Sequence, residues 1–282
     1  MQEIPLFQSA TGEQVTRSSL LRSLEAVAAP GCETLFIHSE MSFGLPNPQL
    51  GRAALLGAIF EVLLELKIPT LVLPTFTFSF CNGEDFDRQN SRSRMGAFNE
   101  FVRRLPGAER SVDPLMSCVA MGRDMSFVRD LGHNSCGADS TFDRLHVIGG
   151  AARFLFLGVA AAKCMTYTHY VEERLGAPYR YNRPFTGRIS DGEQSYLDTY
   201  NLFVRYQGVI PSSSRRFENH LIRTGRLRKV ACGDSFIAAI DERAVYDGVA
   251  ERLCDDIDYF LATPYPRDRL DTTFQARDMI AL

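Results

Sequence analysis

The 282-residue chain lacks the marks of several large protein classes. Its seven cysteines, at positions 32, 81, 118, 136, 164, 232 and 254, are odd in number and form no CxxC pair. They read as reduced thiols, and neither a disulfide framework nor a zinc site is implied. The N-terminal MQEIPLFQSATGEQ carries an early acid and no apolar core of a signal peptide. The most apolar stretch, Leu55 to Phe76, is broken by Glu61, Glu65, Lys67 and Pro69. It offers no clean membrane span of ~20 apolar residues. A soluble, cytoplasmic protein with no membrane partner is expected. The net charge of -3 and pI of about 6.0 argue against a general nucleic-acid binder, which is usually basic. Neither GxGxxG nor GxxxxGKS/T occurs, so a dinucleotide fingerprint and a P-loop are unsupported. No GxSxG elbow and no HExxH helix is present either, which removes support for a serine hydrolase or a zincin.

What is present is ordinary globular composition. Hydrophobic residues make up 45% and charged residues 23%, which rules out disorder as the main state. A chain of this length can bury a core that needs no staples. Leu20, Leu21, Leu24, Val27 and Ala28 recur at helical spacing after Ser18–Ser19, and Pro30–Gly31 stops them. Then come a strand, Thr34 to His38, the loop FGLPNPQ, a helical pattern through Leu64 and a strand, TLVLPTF. This strand–helix–strand order favours parallel pairing under helical cover. Asn82 to Arg94 reads as an exposed loop and Gly96 to Leu105 as a short helix. Ser117 to Met121, Arg153 to Val159 and SFIAAI read as further strands. Asp241 is placed to cap a helix from Glu242 to about Leu261. No repeat or linker divides the chain. The expectation is one α/β domain over residues 1–282, in αβα layers around a mixed, largely parallel sheet with irregular insertions.

Four motifs carry candidate chemistry. In HYVEE, His169 and Glu172 stand at i,i+3 on a helix, so a carboxylate shares a face with an imidazole. Such a pair fixes the tautomer and suits a general base, although the same spacing occurs on many charged helices. FIHSEMSFG ends a strand with His38–Ser39 and a glycine loop, where backbone N–H groups are free to hold a ligand. LPTFTFSF alternates Thr75, Thr77 and Ser79 with Phe76, Phe78 and Phe80, which puts hydroxyls and rings on opposite faces of a strand. RLPGAERSVDPLMS gathers Arg110, Ser111, Asp113 and Ser117 around a proline turn.

The order and spacing of these four motifs resemble the aminoglycoside 3-N-acetyltransferase family, the antibiotic N-acetyltransferase fold. The matching pieces are FIHSEMSFG, TLVLPTFTFSF, FDRQNSRSRMGAFNEFVRRLPGAERSVDP, FLFLGV and TYTHYVEERLGAPYRY. The resemblance runs from about Thr34 to Tyr181 and continues weakly beyond. It implies acyl transfer from acetyl-CoA, as cosubstrate, to an amine, without a metal. Under it, His169 matches the catalytic histidine and Glu172 the acid that follows. His38 and Ser39 match the start of the cofactor loop, Thr75 the hydroxyl of the PTFT strand and Ser117 the serine after an HPTHS-type turn. The chain departs from the pattern where DPLMS replaces HPTHS and where Glu40 replaces the second serine of HSS. These departures leave the antibiotic substrate open.

Charge bears on the acceptor. Between Arg205 and Val230 stand seven basic residues, Arg215 and Arg216 among them, against one acid, Glu218. Such a stretch suits phosphate, either of CoA or of a nucleotide diphosphate. The leading expectation is therefore an N-acetyltransferase for an amino sugar, nucleotide-linked, with His169 as base. An aminoglycoside acceptor is the alternative, for which Asp113, Glu84 and Asp85 would supply an acidic cleft. A non-catalytic CoA or sugar binder and a hydrolase using Cys164 or Ser39 are the readings of other classes. The sequence leaves open which amine is the acceptor, which acyl chain is preferred, whether the chain forms a homodimer and which pathway it serves.

Overall fold

A computed structural model describes residues 3–275. Its organising element is a seven-stranded sheet in the order Arg228–Cys232, Ser235–Asp241, Ala152–Leu157, Thr34–Ser39, Thr70–Pro74, Cys118–Gly122 and Glu109–Arg110. The three central strands run parallel. The outer pairings on both sides are antiparallel. The sheet is mixed as expected, but parallel pairing is confined to the centre and the expectation of a largely parallel sheet is corrected. The cause is local. Between Thr34–Ser39 and Thr70–Pro74 lies the crossover helix Arg52–Glu65, which a parallel step requires. At the edge, only Gly233 and Asp234 join Arg228–Cys232 to Ser235–Asp241, and so short a turn forces antiparallel pairing.

Alternation along the central strands builds the layers. Leu35, Ile37, Leu71, Leu73, Leu155 and Leu157 pack on one side with the helices Arg17–Ala26, Arg52–Glu65 and Ala97–Val102. Phe36, Val72, Phe154 and Phe156 pack on the other with Thr141–Ile148, Tyr167–Arg174 and Glu242–Asp255. Strands covered on both faces carry apolar side chains at successive positions, which is why TLFIH and FLFL contain no alternation.

Three expectations are corrected. The segment after TLVLP is not an alternating strand: the strand stops at Pro74, and Thr75 through Phe80 are all buried, in irregular chain that enters a 3-10 turn at Phe80–Asn82. The hydroxyls turn to the neighbouring loop, Thr75 Oγ1 donating to the Ser117 carbonyl at 3.0 Å and Thr77 Oγ1 to that of Pro114 at 2.9 Å. Asp241 makes no side-chain cap; it accepts instead from Arg153 Nε at 2.6 Å. The helix it precedes ends at Asp255, short of Leu261. A long hairpin, Arg180–Asp191 with Gln194–Arg205, falls outside the sequence expectations. Its turn signal is present in the chain as Asp191–Gly192, with Gly192 at φ 62°.

Gly158 leads from the strand Ala152–Leu157 into the loops over the sheet ends. It sits at φ 70°, and a Cβ there would lie 2.1 Å from the Glu40 carbonyl oxygen. Gly158→Ala is expected to destabilise the protein by about 2 kcal/mol or more, through left-handed backbone strain and this clash. Urea denaturation with an unchanged midpoint would contradict it.

Candidate active site

The helix Tyr167–Arg174 presents His169 and Glu172 on one face, and the pair closes as the i,i+3 spacing expects. His169 Nδ1 and Glu172 Oε2 are 2.7 Å apart. The carboxylate is then held from two further directions. Tyr179 OH donates to Oε1 at 2.7 Å, and Arg180 Nε lies 2.9 Å from Oε2. Burial alone would raise the Glu172 pKa; Arg180, His169 and Tyr179 together bring it down to about 2. Burial, then the Arg180 charge, holds His169 near 4 despite the carboxylate. At neutral pH the pair is thus a neutral imidazole on an ionised carboxylate. The Nδ1 proton goes to Glu172, and Nε2 keeps the lone pair that can accept a proton.

Two cavities meet beside this pair. The first, about 470 Å³, is bordered by His169, Glu172, Arg205, Ser212, Phe217 and Glu218. The second, about 490 Å³, opens at the C-terminal ends of the parallel strands and is bordered by His38, Ser39, Phe76, Phe78, Met95 and Asn99. Strand C-terminal ends are where open α/β sheets hold ligands. Lys163, Cys164 and Thr166 line both cavities and form the wall between them.

His38 and Ser39 border the second cavity. His38 is buried, stacked on Phe156 at 5.5 Å, and its Nε2 has no hydrogen-bond partner. Desolvation alone lowers its pKa to about 3. Ser39 Oγ donates to Asn99 Oδ1 at 2.6 Å. Thr75 and Ser117 border neither cavity. Both are fully buried, and Ser117 Oγ donates to the Thr75 carbonyl at 2.8 Å. The buried Arg110 ties them together, bonding Ser117 Oγ at 3.1 Å, the Thr75 carbonyl at 2.7 Å and the Ser91 carbonyl at 2.6 Å. Asp113 is a turn residue: its Oδ1 accepts from the Leu115 and Met116 amides at 2.7 and 2.9 Å. Glu84 is exposed on a separate polar cavity with Asp85 and Arg94.

The basic stretch is dispersed. Arg215 and Arg216 are exposed at the start of the helix Arg215–Arg223, and neither borders the His169 cavity. The Arg216 guanidinium lies over the Tyr259 ring at 3.8 Å. Arg226 makes two bonds to Glu251, and Lys229 one to Glu218 at 3.0 Å. Arg205 does border that cavity. Sequence reasoning missed Tyr179, Arg180 and Thr166; TYTH and GAPYRY lie in the blocks that carry the resemblance, but nothing local to them states a role. Cys164 is pushed far above the ordinary thiol range by burial, and its Sγ contacts the Ala160 carbonyl at 3.4 Å, neither of which suits a nucleophile.

An α/β layered fold thus carries a partly buried, carboxylate-held imidazole on one cavity and a second cavity at the strand ends. The model of the aminoglycoside 3-N-acetyltransferase family matches residues 36–254, and the chain belongs to that family of CoA-dependent N-acyltransferases. Aminoglycoside N(3)-acetyltransferase VII of Streptomyces paromomycinus is 27% identical over 251 residues, covering 77% of this chain and 83% of that one. The crystal structure of aminoglycoside acetyltransferase AAC(3)-Xa has a TM-score of 0.72 at 19% identity, covering 87% of this chain and 94% of the other. A binary complex of AAC-IIIb with CoASH has a TM-score of 0.70 at 20% identity, covering 89% and 99%. Among the described residues no helix is long and apolar enough to cross a membrane, and no group of three or more His, Cys, Asp or Glu is placed to hold a metal ion.

The two lowered histidines set an acid response. His38 and His169 stay neutral when folded and bind protons more readily when unfolded, near the ordinary value of 6.5. Stability therefore falls as pH drops from about 6.5 toward 4, above the range in which Glu172 protonates. His38→Phe is expected to make this fall shallower, by up to ~1.4 kcal/mol per pH unit for one proton. Urea denaturation between pH 4.5 and 6.5 measures it; equal slopes in both proteins would refute the assignment.

Proposed function

We propose that this chain transfers the acetyl group of acetyl-CoA to the 3-amino group of an aminoglycoside, with His169 as general base. The carrying observation is the His169–Glu172 pair on a cavity that adjoins the strand-end cleft, in a chain of this family. His169 Nε2 takes the proton of the attacking amine, and Glu172 stabilises the imidazolium that forms. The amine nitrogen bonds to the thioester carbon, the C–S bond breaks, and the proton held on His169 passes to the departing thiolate to give CoASH. The His38–Ser39 cleft, with Phe76, Phe78 and Met95 on its walls, suits the pantetheine arm and the thioester. The amine then approaches from the His169 side. The seven thiols without a disulfide agree with work in the reducing cytoplasm, and residues 1–282 would act as one catalytic unit.

The acceptor reading turns on charge. A nucleotide-linked amino sugar is an anion and needs converging cations. Here Arg205 alone of the seven borders the His169 cavity, while Arg226 and Lys229 are paired with Glu251 and Glu218, and Arg216 lies on Tyr259. A polycationic aminoglycoside needs no such convergence, and the relatives' names point the same way. His169→Ala is expected to lower kcat by ~10²–10⁴ while acetyl-CoA still binds. The assay is thiol release from acetyl-CoA with kanamycin-type amines and, in parallel, nucleotide-linked amino sugars. Near-normal turnover by His169→Ala rejects the base. Faster acetylation of the sugar nucleotides rejects the aminoglycoside.

A further inference from the structure

Thr166 carries a buried polar atom that folding leaves without a partner. It is 8% exposed, and its Oγ1 is buried with no hydrogen-bond partner. Three other buried threonines donate to backbone carbonyls, Thr75 to Ser117, Thr77 to Pro114 and Thr141 to Phe127, and Thr70 Oγ1 accepts the Asp124 amide. The half-buried neighbour of Thr166, Thr168, also donates to a carbonyl, that of Met165 at 2.9 Å. Thr166 directly precedes the helix Tyr167–Arg174 with a helical backbone, φ -64° and ψ -19°, and its side chain makes no cap. A buried hydroxyl without a partner costs stability, so its retention calls for a partner that arrives later.

Two placements say what that partner is. Thr166 is in the wall shared by the two cavities, where a thioester in the strand-end cleft would meet an amine on the His169 side. It also stands one helical turn before the base, with its carbonyl accepting the His169 amide at 3.0 Å. The Ser117 and Ser39 hydroxyls are committed elsewhere: Ser117 Oγ donates to the Thr75 carbonyl and Ser39 Oγ to Asn99 Oδ1. Resting on the acetyl-transfer reading above, we infer that the Thr166 hydroxyl donates a hydrogen bond to the thioester carbonyl oxygen and to the oxyanion it becomes. When the amine nitrogen bonds to the carbonyl carbon, the C=O electron pair moves onto oxygen beside Thr166. It returns as the C–S bond breaks and the amide forms. Donors aimed at developing charge in a water-poor cleft supply large rate effects.

The test uses the full-length protein with Thr166→Val, which keeps the shape and deletes the hydroxyl, and Thr166→Ser, which keeps the hydroxyl. Thr166→Val is expected to lower kcat by ~10²–10³. Its KM for acetyl-CoA should stay within about threefold of the wild type, as for a contact made mainly in the transition state. Its Tm should be equal or higher, because an unpartnered buried hydroxyl has gone. Thr166→Ser should recover most of the turnover. A second readout needs no acceptor: the carbonyl stretch of bound [1-13C]acetyl-CoA should lie at lower frequency in wild type than in Thr166→Val. Acetyl-CoA that binds with the same carbonyl frequency in both proteins overturns the Thr166 assignment and leaves the acetyl-transfer reading standing. So does a Thr166→Val enzyme with unchanged kcat, or one that loses Tm and turnover together without rescue by serine. Failure of wild type to bind acetyl-CoA overturns the acetyl-transfer reading itself, and this assignment with it.

Discussion

A single buried carboxylate ties the candidate site to the fold. Glu172 is 2% exposed, and an ion in that position survives only if its charge is answered from nearby. Three groups answer it: the His169 ring on its own helix, the Tyr179 hydroxyl and the Arg180 guanidinium. Arg180 is the first residue of the long hairpin, and its Nη1 donates on to the Phe203 carbonyl in the opposite strand. The orientation of the imidazole, the end of the helix Tyr167–Arg174 and the root of the hairpin are therefore set together. Removing any one partner would leave charge stranded in the interior, which costs far more than the net value of the intact network. Burial first, and then the Arg180 charge, keep the imidazole neutral against the pull of Glu172.

Much of this was legible in the chain. The i,i+3 spacing of His169 and Glu172 identified the pair because helix geometry converts that spacing directly into a contact. The central strands and the helix between them were readable because doubly covered strands leave unbroken apolar runs. Thr75 and Ser117 were harder. Their spacing told which positions carry hydroxyls, not which way the chain turns after Pro74, and that turn is made by Arg110 reaching across from another strand. Asp113 belongs with them: a short acid before a proline turn satisfies backbone amides as readily as it could meet a substrate amine. The cavity walls come from residues 38, 76, 99 and 164, a juxtaposition that no local pattern encodes.

The basic stretch shows how charge counting along a chain departs from charge in space. Between Arg205 and Val230 only one acid is present, so the segment reads as a surplus of cations. The partners come from elsewhere: Glu251 on the last helix for Arg226, and the Tyr259 ring for Arg216. The helix Arg215–Arg223 turns Phe217 and Leu221 inward, which sends its first arginines outward to solvent. What looked like one binding surface in one dimension is in space a scattered set of exposed and separately paired cations.

The register of the central sheet has a kinetic consequence. Thr34 pairs with Ala152 and Ser39 with Leu157, so the innermost ladder joins segments more than a hundred residues apart. The hairpin, by contrast, pairs neighbours through a turn at Gly192. On a ribosome the strand Thr34–Ser39 emerges long before its partner and must wait, with an apolar strand edge open, until residue 157 is clear of the tunnel. Long-range pairings of this kind are slow to close and are exposed to aggregation while they wait. The ladder that delivers His38 and Ser39 to the cleft is thus completed late, after more than half of the chain has been made.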